Sequence, residues 1–171
     1  MRRPVLSAVP ALLCLTAAAA CGDALAPIPA DGPPRALAYS AGGYGGTQTT
    51  LRLAGDTVVL VTRDFARYWD STVVRHVPTA AAWRAFWEAV RDAGVRRWPA
   101  ECTNPDVVDG GGFSFELAWA DARRAGAYGN AYPTRQGRCR RDPTATDEAR
   151  TFQAAMLAVA GVTVVLAATA R

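Results

Sequence analysis

At 171 residues the chain is sized for a single domain, and its 19 basic residues against 15 acidic ones leave a formal charge of only +4. That balance argues against a nucleic-acid surface, so no nucleic-acid partner is expected. All the basic residues are arginine, so no lysine can form a Schiff base or act as a general base.

Residues 1–20 begin with Arg2 and Arg3, continue as an apolar run from Val5 to Ala20, and end in small residues just before Cys21. This order is that of a secretory signal, and with its terminal cysteine it resembles a bacterial lipoprotein signal. The resemblance implies cleavage before Cys21, acylation of its sulfur and of its new amino group, and partnership with the lipid bilayer. Ala18 stands where that family usually has leucine. Ordinary cleavage to a soluble secreted protein is therefore the alternative. Cys14 follows the bulky Leu13 and is discarded with the signal. The run is short for a spanning helix, which needs about 20 residues. Gly22, in place of aspartate, favours the outer membrane over the inner. The expected location is the cell envelope, lipid-anchored and facing the periplasm.

Residues 21–34 are rich in Pro, Ala and Gly and read as the lipidated cysteine and a flexible tether. Residues 35–171 read as one domain. It opens with a strand over 35–41, then a glycine-rich turn over 42–46 without the lysine and strand-to-helix context of a phosphate-binding loop. Alternating and β-branched runs at 47–54 and 57–64 are strands, joined by Gly55-Asp56 as a two-residue turn. After a connection at 65–70, residues 71–77 make another strand. Pro78 ends it and Thr79 caps a helix. Trp83, Phe86, Trp87 and Val90 recur on one face of that helix, and Gly94 closes it.

Residues 98–112 read as a loop. Residues 113–120 alternate strongly, with Phe113, Phe115, Leu117 and Trp119 on one side. Residues 121–124 read as a turn and 125–130 as the partner strand. A polar loop then leads to a helix starting near Thr146, with Phe152, Met156 and Val159 on one face and Gly161 to end it. The uncharged tail beyond Gly161 is expected to be a helix end followed by an edge strand or a frayed terminus, with membrane association as the alternative. The fold class is α+β: an antiparallel sheet of about six strands with two amphipathic helices packed on one face.

Cys102 and Cys139 remain in the exported domain and read as a disulfide. It would close a loop of about 38 residues, worth roughly 4 kcal/mol in the chain-entropy picture. His76 is the only histidine. It has neither the nucleophile motif nor the cysteine spacing that catalysis or metal binding would need, so no metal or cofactor is expected. Glu101, Asp106 and Asp109 share one loop, and paired carboxylates of this kind can act as acid and base. They define a small periplasmic hydrolase as the alternative function. Arg135, Arg138, Arg140 and Arg141 are the densest cationic cluster and suit an anionic envelope component.

From Trp83 to Gly161 the chain resembles a loosely defined group of uncharacterised bacterial envelope proteins. The shared features are Trp83, Phe86 and Trp87 on a helix, Trp98 after it, an Asp109-Gly110 turn before an aromatic strand, the run Gly129 to Pro133, and a final amphipathic helix. The resemblance implies a fold and no activity. The Asp109 turn and the Gly129-Asn130 strand end are expected to share one rim of the sheet. Trp98, Asp109, Tyr128 and Asn130, together with Arg138 and Arg140, are the expected binding residues. The expected function is a non-catalytic binding or interaction module for an envelope ligand or protein partner, with a purely structural role as a further alternative.

Overall fold

The computed structural model of the chain describes residues 26–67, 70–107, 109–142 and 144–162. Four strands, β1 (Ala36–Gly43), β2 (Thr47–Ala54), β3 (Thr57–Asp64) and β4 (Asp70–His76), form an antiparallel meander. Gly55, at φ 65°, makes the expected two-residue turn between β2 and β3, with Ala54 opposite Thr57. Helix α1 (Ala80–Ala93) follows. Its N-cap Thr79 accepts the Ala82 amide through Oγ1, and Gly94 closes it in the left-handed region. Then come β5 (Glu101–Thr103), β6 (Gly111–Trp119), β7 (Ala122–Gly129), the short pair β8 (Tyr132–Pro133) and β9 (Cys139–Arg140), and helix α2 (Asp147–Ala158).

The main sheet has seven strands in the order β4-β3-β2-β1-β6-β7-β5. The first strand of the chain is therefore its centre. β6 zips against β1 from Ala36–Ala118 to Gly43–Gly111. That register lines up Leu51, Tyr39 and Phe115 across three strands and puts Leu37 opposite Leu117. All of these face the helices. The inward residues of α1, namely Trp83, Phe86, Trp87, Val90 and Ala93, join them in one core with Phe152 and Met156 of α2. Each large side chain buried this way contributes at most about 2–3 kcal/mol.

Trp98 is the hub of this core. It is 1 % exposed, and its indole meets Phe113, Phe115, Tyr128 and Phe152 edge-on at 5.2–6.3 Å between ring centroids. Its Nε1–H donates to the Ala93 carbonyl at 3.0 Å, which ties the hub to the end of α1.

Three local expectations are corrected. Residues 98–112 are not all loop. Glu101–Thr103 pair with β7, and the pairing is parallel, so one edge of the sheet departs from the antiparallel pattern. Three residues are too few to show a period. The turn expected at 121–124 is shorter. Ala120, at φ 43°, and Asp121 make it, and β7 starts at Ala122. Arg123 and Arg124 look like turn residues but alternate as strand residues do. Arg123 pairs with Glu116 across the sheet at 2.9 Å, and Arg124 reaches the Trp98 carbonyl on the helix side. The polar loop after Asn130 contains the β8–β9 hairpin, with Pro133 opposite Cys139.

The tether is corrected too, as far as it is described. Residues 26–34 lie as a strap along the core. The Ala26 carbonyl accepts from Trp119 Nε1 at 3.1 Å, Pro29 from an Arg91 guanidinium at 2.6 Å, and Gly32 from Trp87 Nε1 at 2.7 Å. Pro34 is buried, and Ala26 and Ile28 pack against the core. Residues 26–34 are therefore docked on the domain and not free of it. The expected signal, Cys21 and the tail from residue 163 lie outside the described residues. Among the described residues no helix is long and apolar enough to cross a membrane.

Candidate functional site

Both helices cover one face of the sheet, and no described element covers the opposite face. Alternation decides what lines it. On three neighbouring strands most outward residues are small: Ala38, Ser40 and Gly42 on β1, Gly112, Ser114 and Ala118 on β6, and Ala125, Ala127 and Gly129 on β7, with Glu116 and Arg123 the exceptions. Larger side chains stand beside them, so the small ones floor a trough. Its main part holds about 540 Å³, with Gln48 and Phe65 on one side and Thr103 on the other. A second hollow of about 310 Å³ adjoins it through Ser40 and Ser114 and reaches Glu116 and Ala125.

The trough offers hydroxyl and amide groups and no charge in its main part. The Glu116–Arg123 ion pair stands at its other end. Across β2 to β4 the same face carries Arg52, Arg63 and Arg75, none of which pairs with a carboxylate among the described residues. An uncharged floor with a cationic bank suits an extended ligand bearing hydrogen-bonding groups and some negative charge.

The expected rim is adjacent. Asn130 sits at φ 56° and donates its side-chain amide to the Val107 carbonyl at 3.1 Å and its backbone N–H to Gly111 at 3.3 Å. Gly110 must be glycine, because a Cβ there would overlap the Asn130 amide. The Asp109-Gly110 turn and the Gly129-Asn130 strand end thus meet, beside Gly112 and Gly129 at the trough. Asp109 is exposed at this rim.

The other expected binding residues are placed elsewhere. Trp98 and Tyr128 are 1 % and 3 % exposed and lie beneath the sheet, on the helix side. Trp98 does not line the trough, whereas Tyr128 is among its lining residues although its side chain is buried on the helix side. Tyr128 lies back over Gly126, where a Cβ would strike its ring, and donates its hydroxyl to the Pro99 carbonyl at 2.7 Å. Burial pushes its pKa up to about 12, against a smaller opposite effect of Arg124.

Arg138 and Arg140 stand on the β8–β9 hairpin. The Cys102–Cys139 disulfide, with Cα atoms 5.6 Å apart, hangs that hairpin from β5. Cys102 is buried with the core, whereas its neighbour Thr103 lines the trough, so the hairpin and the trough lie on opposite sides of β5. Arg140 pairs with Asp142 at 2.9 Å. The Thr144 amide, then the Arg140 charge, hold the Asp142 carboxyl below the usual carboxylate range. Gly137, at φ 77°, abuts the Arg97 carbonyl, so the fold stacks the arginine hairpin on the turn carrying Arg96 and Arg97.

The loop carboxylates do not form a built acid–base pair. Glu101 is exposed on edge strand β5 and accepts from Thr103 Oγ1 at 3.1 Å, and Asp106 and Asp109 are exposed. His76 sits half-buried on β4 beside Gly161, and no three of His, Cys, Asp and Glu gather among the described residues as a metal would require.

The open-face floor was the part sequence reasoning missed. Its signal is the run of small residues at most outward positions of three strands, and two of those strands, β1 and β6, are neighbours only in space. No protein-family model, curated protein or solved structure matches the chain.

Proposed function

We propose that this chain is a lipid-anchored protein of the bacterial cell envelope, attached through acylated Cys21 and facing the periplasm, that binds a ligand or partner on the open face of its sheet without transforming it. The observation that carries the binding reading is the trough. Seven strands are covered on one side only, and the uncovered side has a floor of small residues between larger banks. The Cys102–Cys139 disulfide supports an oxidising compartment outside the cytoplasm. The anchor rests on the signal pattern ending at Cys21, and Gly22 favours the outer membrane.

Two measurements test the two halves separately. The full-length gene is expressed in a bacterial host and the mature protein weighed. An N-terminal Cys21 carrying acyl chains is expected, and an unmodified N-terminus overturns the anchor. For the trough, a photo-cross-linking side chain is placed at Ser114 in the native envelope. A discrete adduct is expected, and it should vanish when Ser40→Trp fills the floor but persist in Arg138→Gln. An adduct indifferent to Ser40→Trp, in a variant that folds normally, removes the trough as the site.

A further inference from the structure

The main sheet ends in two unlike edges. One is β5, three residues long and tied by the Cys102–Cys139 disulfide to the β8–β9 hairpin. The other is β4. All seven of its residues pair with β3 in one unbroken register, and no strand among the described residues pairs with its outer side. A long regular edge presents a row of backbone N–H and C=O groups, which is a template for another strand. This one has neither a bulge nor an internal proline to blunt it. Among the described residues three large hydrophobic side chains are exposed. Two of them, Val73 at 47 % and Val77 at 57 %, lie on β4 or directly after it.

Charge points to the same edge. Asp64 and Asp70 stand opposite each other across the β3–β4 ladder, an unfavourable pairing. Arg67 answers Asp64 at 3.6 Å, whereas Asp70 has no cationic side chain within bridging distance among the described residues. The far end of the same strand carries Arg75 and His76, so β4 is acidic at its start and basic at its end.

We infer that β4 is the interface between two copies of this chain, which pair β4 to β4, antiparallel, about a two-fold axis at Val73. Full overlap of the seven residues fixes the register. Val73 stands opposite the partner's Val73, Thr72 opposite the partner's Val74, Ser71 opposite the partner's Arg75, and Asp70 opposite the partner's His76. No like charges are opposed. Each Asp70 gains an imidazole N–H to accept from, and the symmetry makes that contact twice. The exposed valines at the axis cover each other. Directly paired residues point to the same face of a sheet, so the axis runs perpendicular to it and the open faces of the two copies lie side by side. Arg63 and Arg75 of both copies then stand in the middle of one joined face. The inference needs neither the anchor nor the trough.

The test uses the full-length chain, expressed in a bacterial host and purified oxidised in mild detergent. Directly opposite Cα atoms lie about 4.5–5.5 Å apart, within disulfide reach. Val73→Cys should therefore give a dimer with copper–phenanthroline, linked through position 73 of both copies by mass analysis. Val61→Cys, one strand inward in the same row, should give none. Mixing Ser71→Cys with Arg75→Cys should give a mixed dimer. Ser71→Cys alone should not, because in this register its two copies stand about 14 Å apart. One strand pair is a small interface, so the native dimer should dissociate on dilution in sedimentation equilibrium. Val73→Lys sets two ammonium groups against each other at the axis. It should weaken self-association at least about tenfold while circular dichroism stays that of the folded chain. A chain that is monomeric at every concentration and gives no adduct through position 73 overturns the inference. So does a self-adduct of Ser71→Cys, or a dimer indifferent to Val73→Lys.

Discussion

Asn130 and Gly110 show how little of a site is carried by the residue that looks functional. Asn130 adopts a left-handed backbone that few residues tolerate, and its amide ties strand β7 to the loop before β6. Gly110 leaves the space that amide occupies. Gly110→Ala should therefore destabilise the fold by about 1–3 kcal/mol through overpacking, read as a lower midpoint in urea at unchanged slope. Trp98 is the opposite case. It looks like a ligand-stacking aromatic in sequence and serves as the centre of the aromatic core. Trp98→Ala should cost about 3–5 kcal/mol, a large share of the 5–15 kcal/mol typical of a domain. A variant that lost its ligand but kept its melting temperature would contradict this placement.

At the scale of elements, the strap and the disulfide do related work. Each ties a segment with no ladder in the main sheet to the core. The strap relies on two indole N–H donors and one guanidinium. Trp87→Phe keeps an aromatic ring on α1 and removes the bond to Gly32. The expected outcome is faster proteolytic cleavage within residues 26–34 with the rest of the domain resistant, seen by mass analysis of the fragments. The disulfide pins the β8–β9 hairpin to a three-residue edge strand that makes only one pairing. Reduction should remove up to roughly 4 kcal/mol. It should also raise exchange first over 134–141, because the β8–β9 ladder is only two residue pairs long.

At the scale of the whole molecule, buried phenols set the alkaline limit. Burial raises Tyr39, Tyr128 and Tyr132 above the ordinary value of 10.0, and Tyr128 reaches about 12. Below pH 10 the folded and unfolded chains both keep these protons, so the contribution to stability is fully present. Above it the unfolded chain releases them while the folded chain holds them, and stability falls as pH rises toward 12. Unfolding on alkaline titration should therefore begin near pH 10, with tyrosinate absorbance growing in step with loss of the near-ultraviolet signal. Tyr39→Phe should move that limb upward, since it removes one ionisable group from the core.

The elements governed by local rules were legible in the sequence. The Thr79 cap, the helix start near Thr146, and both closing glycines, Gly94 and Gly161, fall where residue type and spacing placed them. So do the alternation of β6 and the cysteine pair, because a cap, a period of two and a redox-matched pair each need only a few neighbouring residues or a compartment. The parallel edge strand β5, the docked strap and the open-face trough were decided by the tertiary structure. Glu101–Thr103 become a strand only because β7 arrives beside them, and the strap is fixed by indoles that lie 55 and 93 residues away. The trough exists because β1 inserts between β2 and β6, which sets three rows of small residues side by side on the face that the helices leave uncovered.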